Sequence, residues 1–457
     1  MCLCRLPLLV LVAALLSVAA TLPTAVYATT IHVPADQPTI QGGLNAAGSG
    51  DTVLVACGTY YEHDISMKSG ICLRSETGKA DCVTIHAQGL GRVLYCDGVD
   101  NSARIEGFTI TGGLATGDSW PPNVGGGMSC NSSFPTLTNC TFSGNSATNY
   151  GGGMYCNYSS PTLADCIFLG NSVDVHWGGG VYCHCSSPSL TDCTFYGNSA
   201  GEGGGGISSF DLPSPTLSNC TFSGNSTNGF YGGGGILCFS SSPTVTGCTF
   251  SGNSANGFVG GGGISCCSCS PAVTDCIFSG NSASRGGGIS CYYSSPTVTG
   301  CIFSGNSAGN GGGISCDVSF PPIANCTFSE NSASVNGASL SYSLGSSSVQ
   351  NTIIAFSTSG RAIYCDDAGS VPALSCCDVY GNAGGDWVGC IAGQAGTNGN
   401  FSSDPLFCAP ESGDFRLNCT SPCANRSGCG QIGAFGVGCG PTAVHNTTWG
   451  RIKSMFR

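Results

Sequence analysis

Two short runs in the chain carry ligands for a soft metal: Cys183-His184-Cys185 and Cys266-Cys267-Ser268-Cys269. A closed zinc-type site needs four such ligands converging on a tetrahedron. Cys183 and Cys266 fall at a position that recurs along the chain as an inward-facing residue, which removes one ligand from each run. Both runs therefore read as turn and core, and no metal is expected. Polysaccharide cleavage would need a cluster of carboxylates for hydrolysis, or a Lys or Arg base with acids holding calcium for elimination. Asp366-Asp367 is the only adjacent acidic pair and reads as a solvated turn. No catalytic residue and no cofactor is assigned.

Residue types suited to binding are better represented. Tyr150, Trp177, Phe230, Tyr231 and Phe258 each stand just ahead of a glycine run, in four of five successive repeats. Stacked loops would align them as an aromatic strip for sugar faces or a partner protein; the plainer alternative is that each ring packs on its own turn. Thr136-Leu137-Thr138, Thr244-Val245-Thr246 and Thr297-Val298-Thr299 place two threonines on one face of a strand. Such rows suit ice binding when flat and unbroken. Here Ala164, Ser189, Ser218, Ala272, Pro322 and Ala324 interrupt them, and β-propensity on a solvent face accounts for most of the pattern.

What positions these residues is a repeat. The stretch Gly125 to Asn145, GGGMSCNSSFPTLTNCTFSGN, returns seven more times up to Asn331. Its second cysteine falls at 140, 166, 193, 220, 248, 276, 301 and 326, in steps of 25 to 28 residues. The first falls at 130, 156, 183, 238, 266, 291 and 316, with Ser209 in the remaining slot. A period of this length signals a stacked array whose units cannot bury their apolar side alone. The repeat is rich in Gly, Ser, Thr, Asn and Pro and lacks helical periodicity, which leaves short strands. Met128 to Cys130, Thr136 to Cys140 and Thr141 to Ser143 are the three strands expected per coil of a parallel β-helix. Met128, Cys130, Leu137, Cys140 and Phe142 form the inward set. The asparagines at 145, 171, 198, 225, 253, 281, 306 and 331 are expected to form a ladder of side-chain amides.

The paired tetrapeptides G-G-G-[MVI] and F-x-x-N, the latter from Phe142–Asn145 through Phe328–Asn331, resemble the repeats of the chlamydial polymorphic membrane proteins. The resemblance covers residues 125 to 331 and implies a right-handed parallel β-helix with a surface-exposed, adhesin-like role. That family ends in a large membrane barrel, for which the 457 residues are expected to leave no room. Pro38-Thr39-Ile40-Gln41, Gly50-Asp51-Thr52-Val53-Leu54-Val55 and Gly58-Thr59-Tyr60 resemble the N-terminal cap of pectin-lyase-like proteins. Arg451-Ile452-Lys453 is similar to a short polygalacturonase motif, but lies in the tail, without the companion elements of that family.

In chain order, residues 1–28 read as a signal peptide, with Leu6 to Ala20 as its apolar region and Val26-Tyr27-Ala28 as the cleavage site. Residues 29–113 read as an N-terminal cap and first coils, with one short helix in Gln37 to Ala47. Residues 114–383 are the β-helix repeats, opened by an insertion from Leu114 to Val124. Residues 384–440 are a Cys-rich C-terminal cap, and 441–457 a tail. The chain carries a formal charge of −12 with only 8% charged residues. Arg285 is the sole Lys or Arg between Ile105 and Gly360, which excludes a nucleic-acid surface on the central coils. Ladder cysteines are expected to be buried thiols, because stacked in-register neighbours suit disulfide geometry poorly; disulfides are expected in the cap after Cys390. The sequence thus predicts a secreted or surface-displayed, bacterial-type, monomeric β-helix, non-catalytic and adhesin-like or surface-structural. It would bind carbohydrate or a cell-surface protein, with no membrane span after signal removal. A carbohydrate-binding or polysaccharide-degrading pectin-lyase-like protein is the alternative, and ice binding a minor one.

Overall fold

A computed structural model describes residues 28–116 and 123–439. All but the last residue of the expected signal, the Trp120-Pro121-Pro122 stretch and the 441–457 tail lie outside the described residues. What is described is a parallel β-solenoid of about 13 turns, its strands stacked into long sheets of 14, 13, 12 and 9 strands.

One coil shows how the repeat builds it. Met128–Asn131 follows the glycine run, Thr136–Thr138 and Thr141–Ser143 come next, and Ser146–Ala147 closes the turn. The coil therefore has four strands where the sequence suggested three. The fourth escapes pattern reading because two residues show no alternation. Its sheet begins at Leu114–Ala115, so this part of the expected insertion is regular structure, paired with Ser146–Ala147.

The strand expected over Thr136 to Cys140 stops at Thr138 because Asn139 turns the chain with φ 52°. The equivalent corner is Asp165, Asp192, Asn219, Gly247, Asp275, Gly300 and Asn325, all with φ between 52° and 66°. Left-handed backbone is costly for most L-residues and tolerated by Asn, Asp and Gly, which explains this otherwise variable position. The glycine run answers to space. A Cβ on Gly127 would sit 2.5 Å from the Gly153 carbonyl and 2.9 Å from the Phe142 ring.

The inward set is as the repeat dictates, with Met128, Cys130, Leu137, Cys140 and Phe142 all fully buried. Phe142, Phe168, Phe195, Phe222, Phe250, Phe278, Phe303 and Phe328 stack face to face, centroids 4.6 to 4.9 Å apart. That is the strand spacing of a sheet transmitted to the side chains. Each second-column cysteine, from Cys140 to Cys326, donates its thiol to the carbonyl two residues earlier at 3.2 to 3.4 Å. Beside them runs the asparagine ladder. The Asn225 amide donates to the Phe195 carbonyl at 3.0 Å and to Asn253 Oδ1 at 2.9 Å, while its own Oδ1 accepts from the Asn198 backbone and side chain.

The ends differ from the middle. A helix, Ile40–Ala46, lies over the N-terminal coils with Thr39 capping it through Gly42. Cys57 and Cys82 are joined there, a disulfide that the reading of the cap did not foresee. Near the C-terminus Cys365–Cys390 and Cys376–Cys429 tie coil to cap, and Cys408–Cys439 lies within it. A small sheet of Phe407–Ala409, Asp414–Asn418 and Val437–Cys439 lies against the outer side of the last coils, where Leu417 shares an apolar cluster with Ile353 and Ala355.

Under that cap Asp378 is fully buried, accepting from the Ser403 backbone at 3.0 Å and the Cys423 thiol at 3.1 Å. Burial raises its pKa from 3.8 to about 7, against the opposing pull of those hydrogen bonds and of Arg426.

Two outcomes are expected. Asn225→Ala orphans buried groups on both neighbouring coils, each costing about 1–3 kcal/mol, and should lower the thermal midpoint and speed amide exchange locally. Between the unfolded carboxyl value of 3.8 and about 7, the folded chain holds a proton on Asp378 that the unfolded chain has lost. Cap stability should therefore fall as pH rises through that window and level off above it. Proteolysis of the cap across pH should show this slope, and Asp378→Asn should flatten it.

Candidate functional site

The strand after each glycine run turns its first and third side chains inward, and its second and fourth outward. In-register pairing makes two outer columns. One passes through Ser129, Tyr155, Tyr182, Ser208 and Leu237, the other through Asn157, His184, Phe210, Phe239, Cys267, Tyr292 and Asp317. The loop ahead of the glycine run folds over this face, and it carries the five aromatic residues singled out from the sequence.

Those five divide into two groups. Tyr150 and Trp177 are half-buried and belong to an apolar cluster outside the coil, formed with Val124, Tyr155, Tyr182, Phe210, Leu237 and Cys267. Trp177 stacks on Phe210 at 4.2 Å and Tyr150 lies 4.8 Å from Tyr182. Beneath them Tyr155 and Tyr182 are only 2% and 5% exposed, and burial pushes both hydroxyl pKa values up. Phe230, Tyr231 and Phe258 are 53%, 37% and 60% exposed. Phe230 stacks on Phe258 at 5.7 Å and meets Tyr231 edge-on at 4.8 Å. Tyr231 reaches Phe239 at 6.3 Å and Tyr292 at 6.1 Å, and Tyr292 meets Tyr293 edge-on at 4.7 Å. Phe210 and Phe239 stack at 5.4 Å and link the two groups into one aromatic path along the axis.

One cation joins it. The Arg285 guanidinium lies 4.8 Å over the Phe258 ring and pairs with Asp317 at 2.6 Å. The face thus offers exposed ring surfaces beside a fixed pair of hydrogen-bonding charges. The sequence reading missed Tyr155, Tyr182, Phe210, Phe239 and Tyr292. The signal was present: period-two alternation puts the second and fourth residues of M-Y-C-N and its copies outside, beneath the loops.

The other sequence candidates are scattered. Cys183 and Cys266 point into the core, and Cys267 joins the outer cluster. His184 and Cys185 remain outside. Asp367 is a turn residue, accepting from the Gly369 and Leu344 backbones and from Ser370. Asp366 meets Ser343. Among the described residues no further acid joins them, and the groups of three His, Cys, Asp or Glu ligand atoms within 4.8 Å lie elsewhere. The threonines do face outward in register, with Ser189 and Ala272 breaking one row and Ala164, Ser218 and Ala324 the other.

The division of the strip has an energetic consequence. Trp177→Ala removes packing from a half-buried ring and should cost about 2 kcal/mol, below the 3–5 kcal/mol of a fully buried aromatic. Phe258→Ala should change stability by less than about 1 kcal/mol. Chemical denaturation of the two variants separates the ring that holds the structure from the ring that is free to bind.

Among solved structures, a mannuronic acid specific polysaccharide family 6 lyase from human gut microbiota aligns with a TM-score of 0.40 at 13% identity, covering 82% of this chain and 91% of that one. An alginate lyase of the PL6 family aligns at 0.40 and 13% identity over 91% of this chain, which spans 59% of that one. The tailspike protein of E. coli bacteriophage HK620, in complex with a pentasaccharide, aligns at 0.37 and 12% identity, covering 79% and 72%. No curated protein matches the sequence. The family model of the right-handed beta helix region matches residues 66–235, 203–319 and 234–402. The whole repeat array and part of each flank fall within those matches, and the chain belongs to the right-handed beta helix family.

Proposed function

We propose that this chain is an exported, non-catalytic β-helix that binds glycans on the outer face of its glycine-run sheet. The observation that carries the reading is the exposed aromatic row of Phe230, Tyr231 and Phe258 beside the Arg285–Asp317 pair. The exposed outer edges of the stacked rings offer apolar contact to the C–H faces of sugars, and a fixed guanidinium and carboxylate supply hydrogen bonds to hydroxyls at the edge of the stack. The half-buried Tyr150 and Trp177 serve the same face as its foundation. An adhesin-like role is the form such binding would take on a cell surface.

Export is supported by the apolar Leu6 to Ala20 stretch and by the four disulfides among the described residues, a bond that persists in oxidising compartments. No helix among the described residues is long and apolar enough to cross a membrane. The non-catalytic part rests on the dispersal of the acids: Asp366 and Asp367 serve a turn, and Arg285 is engaged by Asp317. A surface-structural role without a ligand is the competing reading.

A glycan array combined with a depolymerisation screen tests the proposal. Binding without cleavage, weakened at least tenfold in Phe258→Ala and Phe230→Ala while Thr244→Ala on another sheet is neutral, is the expected result. Cleavage lost in Asp366→Asn overturns the non-catalytic part. Absence of any glycan binding overturns the ligand class and leaves the structural role.

A further inference from the structure

On the same outer face, at the corner that ends each glycine-run strand, three unlike ligand atoms meet. His184 Nε2 lies 3.8 Å from Cys185 Sγ and 3.4 Å from Asp211 Oδ2, and all three ligand atoms fall within 4.8 Å of one another. The juxtaposition is a product of the stack. Tyr158, Cys185 and Asp211 occupy the same left-handed corner in consecutive coils, with φ of 49°, 48° and 60°. The Cys185 amide bonds the Phe210 carbonyl, which sets Cys185 and Asp211 one strand spacing apart. His184 precedes Cys185 on the last outward position of its strand. The sequence run Cys183-His184-Cys185 suggested two thiols. The fold sends Cys183 into the core and brings Asp211 from the next coil instead.

We propose that His184, Cys185 and Asp211 form a binding site for a zinc-class divalent ion. Zinc bonds to sulfur at about 2.3 Å and to imidazole nitrogen and carboxylate oxygen at about 2.0–2.2 Å. On a tetrahedron those bonds separate sulfur from nitrogen by about 3.5 Å and nitrogen from oxygen by about 3.4 Å. The observed 3.8 and 3.4 Å are already close to those edges. The imidazole is also held for the task. His184 Nδ1 lies 3.0 Å from Asn157 Oδ1, an acceptor, so the ring donates there and turns the lone pair of Nε2 toward the thiol and the carboxylate. A second hydrogen-bond partner on the far nitrogen is the usual way a ligating histidine is oriented. The Tyr158 ring packs edge-on against His184 at 5.8 Å, closing one side. Asp211 is exposed, so the fourth position faces solvent and takes water or an exogenous donor. Thiolate, imidazole and carboxylate together favour zinc over the hard ions magnesium and calcium.

The test uses the full chain with its disulfides intact, stripped by a chelator and titrated with Co2+, followed by Zn2+ competition. One equivalent of Co2+ should bind with a thiolate charge-transfer band and be displaced by Zn2+. Cys185→Ser should abolish the band. His184→Ala should weaken binding at least tenfold, and Asn157→Ala by about 10- to 100-fold. Cys419→Ser, which alters an exposed thiol in the cap, should change nothing. Without any substitution, saturating Zn2+ should slow alkylation of Cys185 at least tenfold, read by mass spectrometry. A band that survives in Cys185→Ser, or alkylation of Cys185 indifferent to Zn2+, overturns the site.

Discussion

Everything in this molecule depends on each coil turning at the same place as the one before. The corner at Asn139 and its copies must take left-handed backbone, and the residue types there are those that can. Once the corners coincide, the next residues fall into line: cysteine over cysteine, phenylalanine over phenylalanine, asparagine over asparagine. The buried asparagines then make the arrangement hard to slip. From Asn171 to Asn306 each accepts from the preceding coil and donates to the coils on both sides. A register error of one residue would strand those amides in an apolar core, at a cost far above that of a misplaced methyl group.

Much of this was legible because the sequence repeats. Eight copies average out local ambiguity, so the inward set and the asparagine ladder could be read from spacing and residue type alone. What failed to show were features without repetition or without length. The two-residue Ser146–Ala147 strand carries no periodicity of its own. The Cys57–Cys82 disulfide joins stacked neighbours one coil apart, just ahead of the Gly58–Val83 pairing, where stacked neighbours were expected to suit disulfide geometry poorly.

The outer face was half legible. Exposed and half-buried rings have the same letters, and the reading put Tyr150, Trp177, Phe230, Tyr231 and Phe258 into one strip. The division between them is made by what lies beneath. Tyr155, Tyr182 and Phe210 raise an apolar floor under Tyr150 and Trp177, whereas Ser265 and Ser290 offer no comparable floor further along. The His184–Cys185–Asp211 meeting was hidden for a different reason. Cys185 and Asp211 lie 26 residues apart across one coil, a distance that becomes contact only after the period is known.

The two columns of buried cysteine have a bearing on how such a chain comes to be wound. In an oxidising medium an uncovered thiol is open to cross-linking with any other, and this chain holds enough of them to tangle irretrievably. Safety lies in succession: a coil laid down on a finished neighbour hides its thiols at once, whereas coils formed at random leave many uncovered together. The disulfides stand near the two extremities of the stack, where a thiol column would otherwise lie open to whatever unwinds it. Growth from one end would keep each thiol column covered as it forms, with the disulfides near the two extremities.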